Sequence, residues 1–228
     1  MFKHQGIWLP DGEKHFPGWM DKNGEIVDGK GTYQIKKLRA AMEHCRRFRV
    51  AIDVGAHVGL WSMQLIKRFE RIEAFEPVSV FQACYVENLG FSGSDDGCGD
   101  GVVNLHDCAL GAAPGRVSMT IPPLDGGLDT GGTHVGGAGD IEMRTLDSFW
   151  FQDVDFIKID CEGYEHHVIE GARATLTRWR PTVIVEQKPH KLGPNFGIKG
   201  TPAVDMLKEM GAEVRAVLSG DYIMSWPA

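Results

Sequence analysis

The chain of 228 residues has no CxxC pair, and its five cysteines (Cys45, Cys84, Cys98, Cys108, Cys161) are odd in number and scattered. That pattern argues against both a disulfide framework and a structural zinc site. It suits a reducing compartment, so the expected location is cytoplasmic. Basic excess is also missing: 24 Lys and Arg stand against 31 Asp and Glu, a net charge of −7. Nucleic acid and anionic membranes, which are held largely by basic side chains, are therefore disfavoured as partners. The opening MFKHQGIWLPDGEKHF contains no apolar run long enough for a signal peptide, and no segment approaches the length of a membrane span. A dinucleotide fingerprint GxGxxG starting at Gly55 would need glycine where the chain has His57 and Leu60, and no GxxxxGK[ST] occurs. NAD and a triphosphate P-loop are disfavoured accordingly. What is present is ordinary for a globular α/β domain, with 43% hydrophobic and 24% charged residues.

Residues 1–32 are rich in Gly, Pro, Asp and Lys, with Phe2, Trp8, Phe16 and Trp19 interspersed. They read as an irregular or hairpin-forming N-terminal extension and a candidate lid, with the main domain at 33–228. Ile35, Leu38, Ala41 and Met42 predict a helix before the strand FRVAIDVG. Then LWSMQLIKRF (helix), RIEAFEP (strand), VSVFQACYVENLG (helix) and VVNLHDCAL (strand) alternate. After GRVSMTIP and IEMRTLDSFW come the strand VDFIKID, a helix over 165–179, the strand PTVIVEQ, a helix over 202–210, and the strands AEVRAVLS and DYIMSWP. Alternation predicts a doubly wound, mostly parallel sheet covered on both faces, and the Gly220-Asp221 turn predicts an antiparallel C-terminal hairpin. Residues 125–140, DGGLDTGGTHVGGAGD, are the low-complexity element.

AIDVGAHVGLWS reads as strand, glycine turn and helix, the place where open α/β sheets hold nucleotide-like ligands. An acid, Asp53, two residues before Gly55 would repel phosphate but suits a ligand carrying ammonium and sulfonium charge. That points to S-adenosylmethionine. Glu76, at the end of EAFEP, can accept both hydroxyl protons of a ribose diol. Asp107 can accept from an exocyclic amine of adenine, with Cys108 and Ala109 beside the ring, although an ordinary turn acid is an equal reading for Asp107.

In this order and spacing, DVGAHVG, EAFEP, HDCALG, RTLDSF, FIKIDCEGYEHHVIEGA and PTVIVEQ resemble the FkbM family of S-adenosylmethionine-dependent methyltransferases, over roughly residues 49–187. The resemblance implies a class I methyltransferase (Rossmann-like) fold and methyl transfer to a hydroxyl oxygen of a saccharide, glycan or other natural product. It places Asp53, Gly55, Ala56, His57 and Gly59 in the cofactor loop, Glu76 on the ribose, and Asp107 with Cys108 at the adenine. Asp160 and Glu162 then face methyl donor and acceptor.

A hydroxyl acceptor calls for a general base, worth roughly 10²–10⁴-fold in rate. The candidates are Asp160, Glu162 and His134, the last in the glycine-rich segment, with a weaker case for His190. Lys158 is expected to pair with a buried carboxylate, Glu165 to serve the helix end, and His166 and His167 to pack or face solvent. Glu186 is expected to approach Asp160 and Glu162, where a divalent metal is a minority option and no metal is assigned. Nitrogen transfer, a macromolecular acceptor and a non-catalytic cofactor-binding module are the alternatives. The (D/N)PP(Y/F) tetrapeptide of amino-methylating enzymes is absent.

Overall fold

Val154–Ile159, an apolar run broken only by Asp155 and Lys158, is a central strand of a seven-stranded sheet in the computed structural model, which describes residues 1–90, 102–188 and 196–227. Numbering that sheet's strands in chain order, β1 is Val50–Val54, β2 Arg71–Phe75, β3 Val103–His106, β4 Val154–Ile159, β5 Thr182–Glu186, β6 Glu213–Leu218 and β7 Asp221–Ser225. They lie in the order β6-β7-β5-β4-β1-β2-β3. All neighbours from β5 to β3 are parallel, and β7 runs antiparallel to both β5 and β6. The β6–β7 turn is made by Ser219 (φ 53°) and Gly220 (φ 87°).

Every residue of β1 and β5 is buried, as expected of parallel strands covered on both faces. Ile157, Ile159, Val183 and Val185 pack with Val168, Leu176 and Val204 on one face; Phe156, Ala51 and Ile184 pack with Leu38 and Leu65 on the other. The chain order reverses between β1 and β4, so the turns that leave these two strands meet at one edge. Helix α2 (Ile35–Met42) matches the periodicity of its apolar residues, and α4 (Ser79–Leu89) and α7 (Pro202–Glu209) form where helices are expected, whereas α3 is reduced to Ser62–Leu65.

Three local expectations are corrected. VVNLHDCAL is not one strand: β3 stops at His106, and Ala109–Leu110 joins a separate three-stranded sheet with Gly115–Val117 and Ile141–Arg144. Cys108 and Leu110 turn into the core there, which ends the ladder. The helix over 165–179 is two helices, α5 (Glu165–Glu170) and α6 (Arg173–Trp179). Asp147, far off in sequence, accepts from the backbone N–H groups of Ala174 and Thr175 at 2.8 Å each and so restarts the helix. The extension contains, besides its two hairpins, a helix α1 (His15–Asn23) that Pro17 and Gly18 disfavour. It is held by burial of Phe16 and Met20 against Val58, Leu60 and Met63. Asn88 of α4 anchors the first hairpin, donating to the carbonyls of Trp8 (2.9 Å) and Val58 (2.8 Å) and accepting from Trp8 N (2.7 Å).

Among the described residues no helix is long and apolar enough to cross a membrane. The α5–α6 break requires close backbone contact, since a Cβ on Gly171 would lie 2.1 Å from the carbonyl oxygen of Gly111. Gly171→Ala is therefore expected to lower stability by about 1–3 kcal/mol in urea unfolding. Gly137→Ala, with nothing within 4 Å, should change it by less than about 0.5 kcal/mol.

Candidate functional site

The turns leaving β1 and β4 are tied together by a buried ion pair. Lys158 Nζ lies 3.2 Å from Asp53 Oδ1 and donates to the carbonyls of Val54 (3.1 Å) and Gly55 (2.6 Å). Ser62 Oγ donates to the other Asp53 oxygen at 2.7 Å. Burial works against the Lys158 charge, but Asp53 and Asp160 outweigh it and raise the lysine's pKa. Asp53 is fully buried beneath the turn, outside the wall of the cavity above it. Gly55 (φ 71°) leaves no room for a side chain, because a Cβ would sit 2.1 Å from the carbonyl oxygen of Asp160. Gly59 (φ 86°) packs instead against Tyr85 and Leu89.

Gly55, Ala56, His57, Glu76, Cys108 and Asp160 line a cavity of about 100 Å³ over this edge. Glu76 accepts from the N–H groups of His57 (2.9 Å) and Val78 (2.8 Å), and burial lifts its pKa to about 7. Cys108 presents a protonated thiol, its pKa pushed up to about 11 by burial. Its neighbour Asp107 is exposed and outside the cavity wall.

Phe16 of α1, together with Thr130, covers the cavity. Glu13 is buried and accepts from Phe16 N (2.7 Å), Thr130 N (2.9 Å) and Thr130 Oγ1. Because the Thr130 hydroxyl proton goes to Glu13, Thr130 Oγ1 accepts from His57 Nε2–H, at 2.9 Å. The network thus assigns the His57 tautomer and leaves Nδ1 as a buried acceptor with no partner among the described residues. Burial pushes the His57 pKa down to about 3, so the ring is neutral. It stands between Phe16 and Phe81, with ring centroids 4.9 and 4.3 Å away. Neither Glu13 nor Thr130 carries a local signal: one sits in a polar turn, the other in a glycine-rich run.

At the exit of β4, Asp160 and Glu162 both line the cavity, and Glu162 is reached through a left-handed backbone (φ 54°) followed by Gly163 (φ 108°). One carboxylate oxygen each from Asp160, Glu162 and Glu186 lies within 4.8 Å of the others, so the structure brings all three together. Such a set can share a proton or hold a hard divalent cation. Lys188 pairs with Glu186. Glu165 serves the backbone, accepting from Cys161 N (2.9 Å) and Gly163 N (3.0 Å), and burial raises its pKa to about 8. His166 and His167 lie against each other and near Tyr164, with tilted rings. His134 is not brought to the carboxylates: Thr133 and Val135 on either side line the cavity, and strand alternation turns His134 to the other face, with Nδ1 3.0 Å from the Gly132 carbonyl. His190 lies outside the described residues.

A model of the methyltransferase FkbM domain matches residues 53–220. Among solved structures, the methyltransferase FkbM from Methylobacillus flagellatus KT is similar with a TM-score of 0.51 and 18% identity, covering 79% of this chain and 44% of that one. Precorrin 8W decarboxylase from Methanobacterium thermoautotrophicum is similar with a TM-score of 0.48 and 16% identity, over 97% of this chain and 100% of that one. Ribosomal protein L11 methylase from Lactobacillus delbrueckii subsp. bulgaricus follows at 0.49 and 11%, over 84% and 76%. The chain spans less than half the length of the Methylobacillus protein, and likeness at such identities concerns the fold, which is that of class I methyltransferases. No curated protein matches the sequence.

Two buried carboxyls with raised pKa values set a pH dependence of stability. Glu76 and Glu165, at about 7 and about 8 against an ordinary 4.5, bind more protons folded than unfolded between those values. Their contribution is thus full below pH 4.5 and is lost as pH rises through the folded values. The limiting slope is about 1.4 kcal/mol per pH unit for each group. Urea unfolding from pH 5 to 8.5 should show falling stability. Glu165→Gln, which keeps an acceptor oxygen for Cys161 and Gly163 but has no proton to lose, should flatten the fall.

Proposed function

The chain belongs to the FkbM methyltransferase domain family, and from that premise we propose that it moves a methyl group from S-adenosylmethionine to a hydroxyl oxygen of a saccharide, glycan or other natural product. The observation that carries oxygen as acceptor is the trio Asp160, Glu162 and Glu186, of which the first two line the cavity. A hydroxyl needs proton removal, and Asp160 and Glu162 stand where an acceptor would meet the donor. They also place negative charge beside a cationic ligand. Nitrogen acceptors often need little help from a base, so such a set would serve them less.

The residues present suit the cofactor. Gly55 brings the backbone of the turn close to any occupant, Glu76 offers a carboxylate for the ribose diol, and His57 Nδ1 is an acceptor that lacks a donor among the described residues. Cys108 and Ala109 give an apolar wall for the base, and Asp107 marks its solvent edge. When bound, S-adenosylmethionine supplies an electrophilic methyl on a sulfonium. Asp160 or Glu162 takes the proton of the acceptor hydroxyl, and Asp53, through Lys158, holds the shape of the turn. His134, outside the cavity wall, is given no role in this reading.

The cavity's 100 Å³ is well below the roughly 300–1,000 Å³ of small-molecule sites. In this reading the extension is a lid: Phe16 and Thr130 withdraw to admit the cofactor, and Glu13 latches them shut. Losing a buried charge-assisted hydrogen bond costs about 1.5–3 kcal/mol, or tenfold and more in an equilibrium. Glu13→Ala should thus raise both the association and the dissociation rate of S-adenosylmethionine about tenfold in stopped-flow fluorescence; unchanged rates would sink the lid. Calorimetry should detect S-adenosylmethionine binding that survives Asp160→Asn and Glu162→Gln. With a glycan panel, at least one of these variants should release S-adenosylhomocysteine about 10²–10⁴-fold more slowly. Full turnover in both would turn the reading toward nitrogen, and absence of binding heat would end it.

A further inference from the structure

A second hollow of about 890 Å³ opens beside the cavity, between α1, α2, the Thr130–Gly132 turn and the β6–β7 turn. The two share Tyr33, Gly131 and Glu162, so the Glu162 carboxylate stands at the junction of both. We infer that this groove is the acceptor site, and that its substrate is a hydroxyl-rich ring carrying an anionic group, a carboxylate or a phosphate. The inference rests on the methyl-transfer reading above and adds the acceptor's class to it.

The groove has the volume of a small-molecule site, which the tight cavity lacks. Its wall includes the half-buried Trp19, whose ring lies 4.5 Å from that of Tyr33. This pair offers an apolar aromatic surface of the kind that packs against the C–H face of a sugar ring. Gln34, at the head of α2, also lines the groove. It is 7% exposed, its backbone is held in the left-handed region at φ 54°, and its Oε1 has no hydrogen-bond donor among the described residues. Backbone strain of this kind collects at functional positions, and a buried amide oxygen without a donor calls for a partner. A ligand hydroxyl supplies one.

Charge decides between a neutral and an anionic acceptor. Four lysines line the groove, of which Lys37 is bound to Asp221 at 2.8 Å and Lys188 to Glu186. Of the three acids that line it, Glu25 is taken by Arg39 at 2.8 Å, Asp129 faces His15 at 3.9 Å and accepts from Gly132 N, and Glu162 stands at the junction with the cavity. Lys22 and Lys36 remain with no acidic partner among the described residues. Exposed lysines are common on any surface. This pair differs because it flanks an unsatisfied amide and an aromatic pair at the approach to Glu162, in a chain of net charge −7. A local positive rim on an acidic protein selects for anions.

The test is calorimetry on the chain saturated with S-adenosylhomocysteine, titrated with glucuronate, glucose 6-phosphate and glucose. At least one anionic probe should bind about tenfold or more tightly than glucose, lose that advantage in Lys22→Glu/Lys36→Glu, and weaken with added salt. Which anion binds names the source of the charge. Gln34→Leu should weaken all probes that bind, while S-adenosylhomocysteine affinity stays unchanged in every variant. Equal affinity for glucose and both anions, absence of binding by all three, or indifference to the lysine reversal overturns the inference. If S-adenosylhomocysteine itself gives no heat, the methyl-transfer reading falls, and the same titrations on the chain alone still decide whether the groove selects anions.

Discussion

The site depends on one buried ion pair. Lys158 of β4 and Asp53 of β1 face each other across adjacent parallel strands, and the ammonium also gathers the carbonyls of Val54 and Gly55. Those carbonyls belong to the turn where β1 ends, so the pair sets the path of the backbone that forms the cavity floor. Desolvating two charges is costly, and an apolar pair of similar volume could leave the protein as stable or more so. It would not hold the carbonyls of Val54 and Gly55. Removing one partner alone leaves a buried charge unpaired, a loss of about 3–5 kcal/mol. The gain from the pair is therefore best sought in the shape of the turn: with Gly55 pressed to the Asp160 carbonyl, both strand exits are fixed relative to each other.

From this anchor the arrangement of charge along the site follows a sequence. The floor is internally neutral, since Asp53 and Lys158 cancel. Along one wall Glu76 is held by two backbone N–H groups, which favour its charged form, against a burial that favours the neutral one. At the far end carboxylates accumulate, with Asp160, Glu162 and Glu186 close together and Asp221 nearby, its pKa raised to about 6 chiefly by burial and by Asp160. Lys37 and Lys188 offset part of that negative charge. A carboxylate-rich end thus gives way, within a few residues, to a lysine-bearing groove. This gradient would orient a reaction between a sulfonium and an acceptor of opposite charge.

How much of this could be read from the sequence depended on the range of the interactions. Parallel strands buried on both faces announce themselves as apolar runs, so the strands of the central sheet and their order of appearance were legible, as was the antiparallel finish around Gly220. DVGAHVG and IKIDCEGYE marked the two strand exits because a turn under close backbone contact needs glycine, and the carboxylates beside it have no structural reason to be apolar. The break between α5 and α6 was not legible: it comes from Gly111 and Asp147, whose contacts with Gly171 and α6 form only in the fold. Asp53 was read as facing the ligand because position at a strand end does not tell which side of the turn a carboxylate takes. His134 was placed at the site by composition, and strand alternation, set by its pairing with Thr120, turned it away.

The least legible part is the cover. Residues 1–52 fall outside the matched family region, yet Glu13 and Phe16 close over the family's loop, and His57 of that loop owes its tautomer to Glu13 through Thr130. Three segments remote in sequence therefore share one buried hydrogen-bond chain. Disturbing any member should be felt by the other two, since a buried donor or acceptor without its partner is costly. The same extension supplies Trp19 and Lys22 to the neighbouring groove. On the readings proposed above, closing over a cofactor and shaping an acceptor site are coupled tasks of one segment. Substitutions that loosen the buried seat of α1 at Phe16 or Met20 should alter acceptor choice and cofactor exchange together, whereas a charge change at its exposed Lys22 should alter acceptor choice alone.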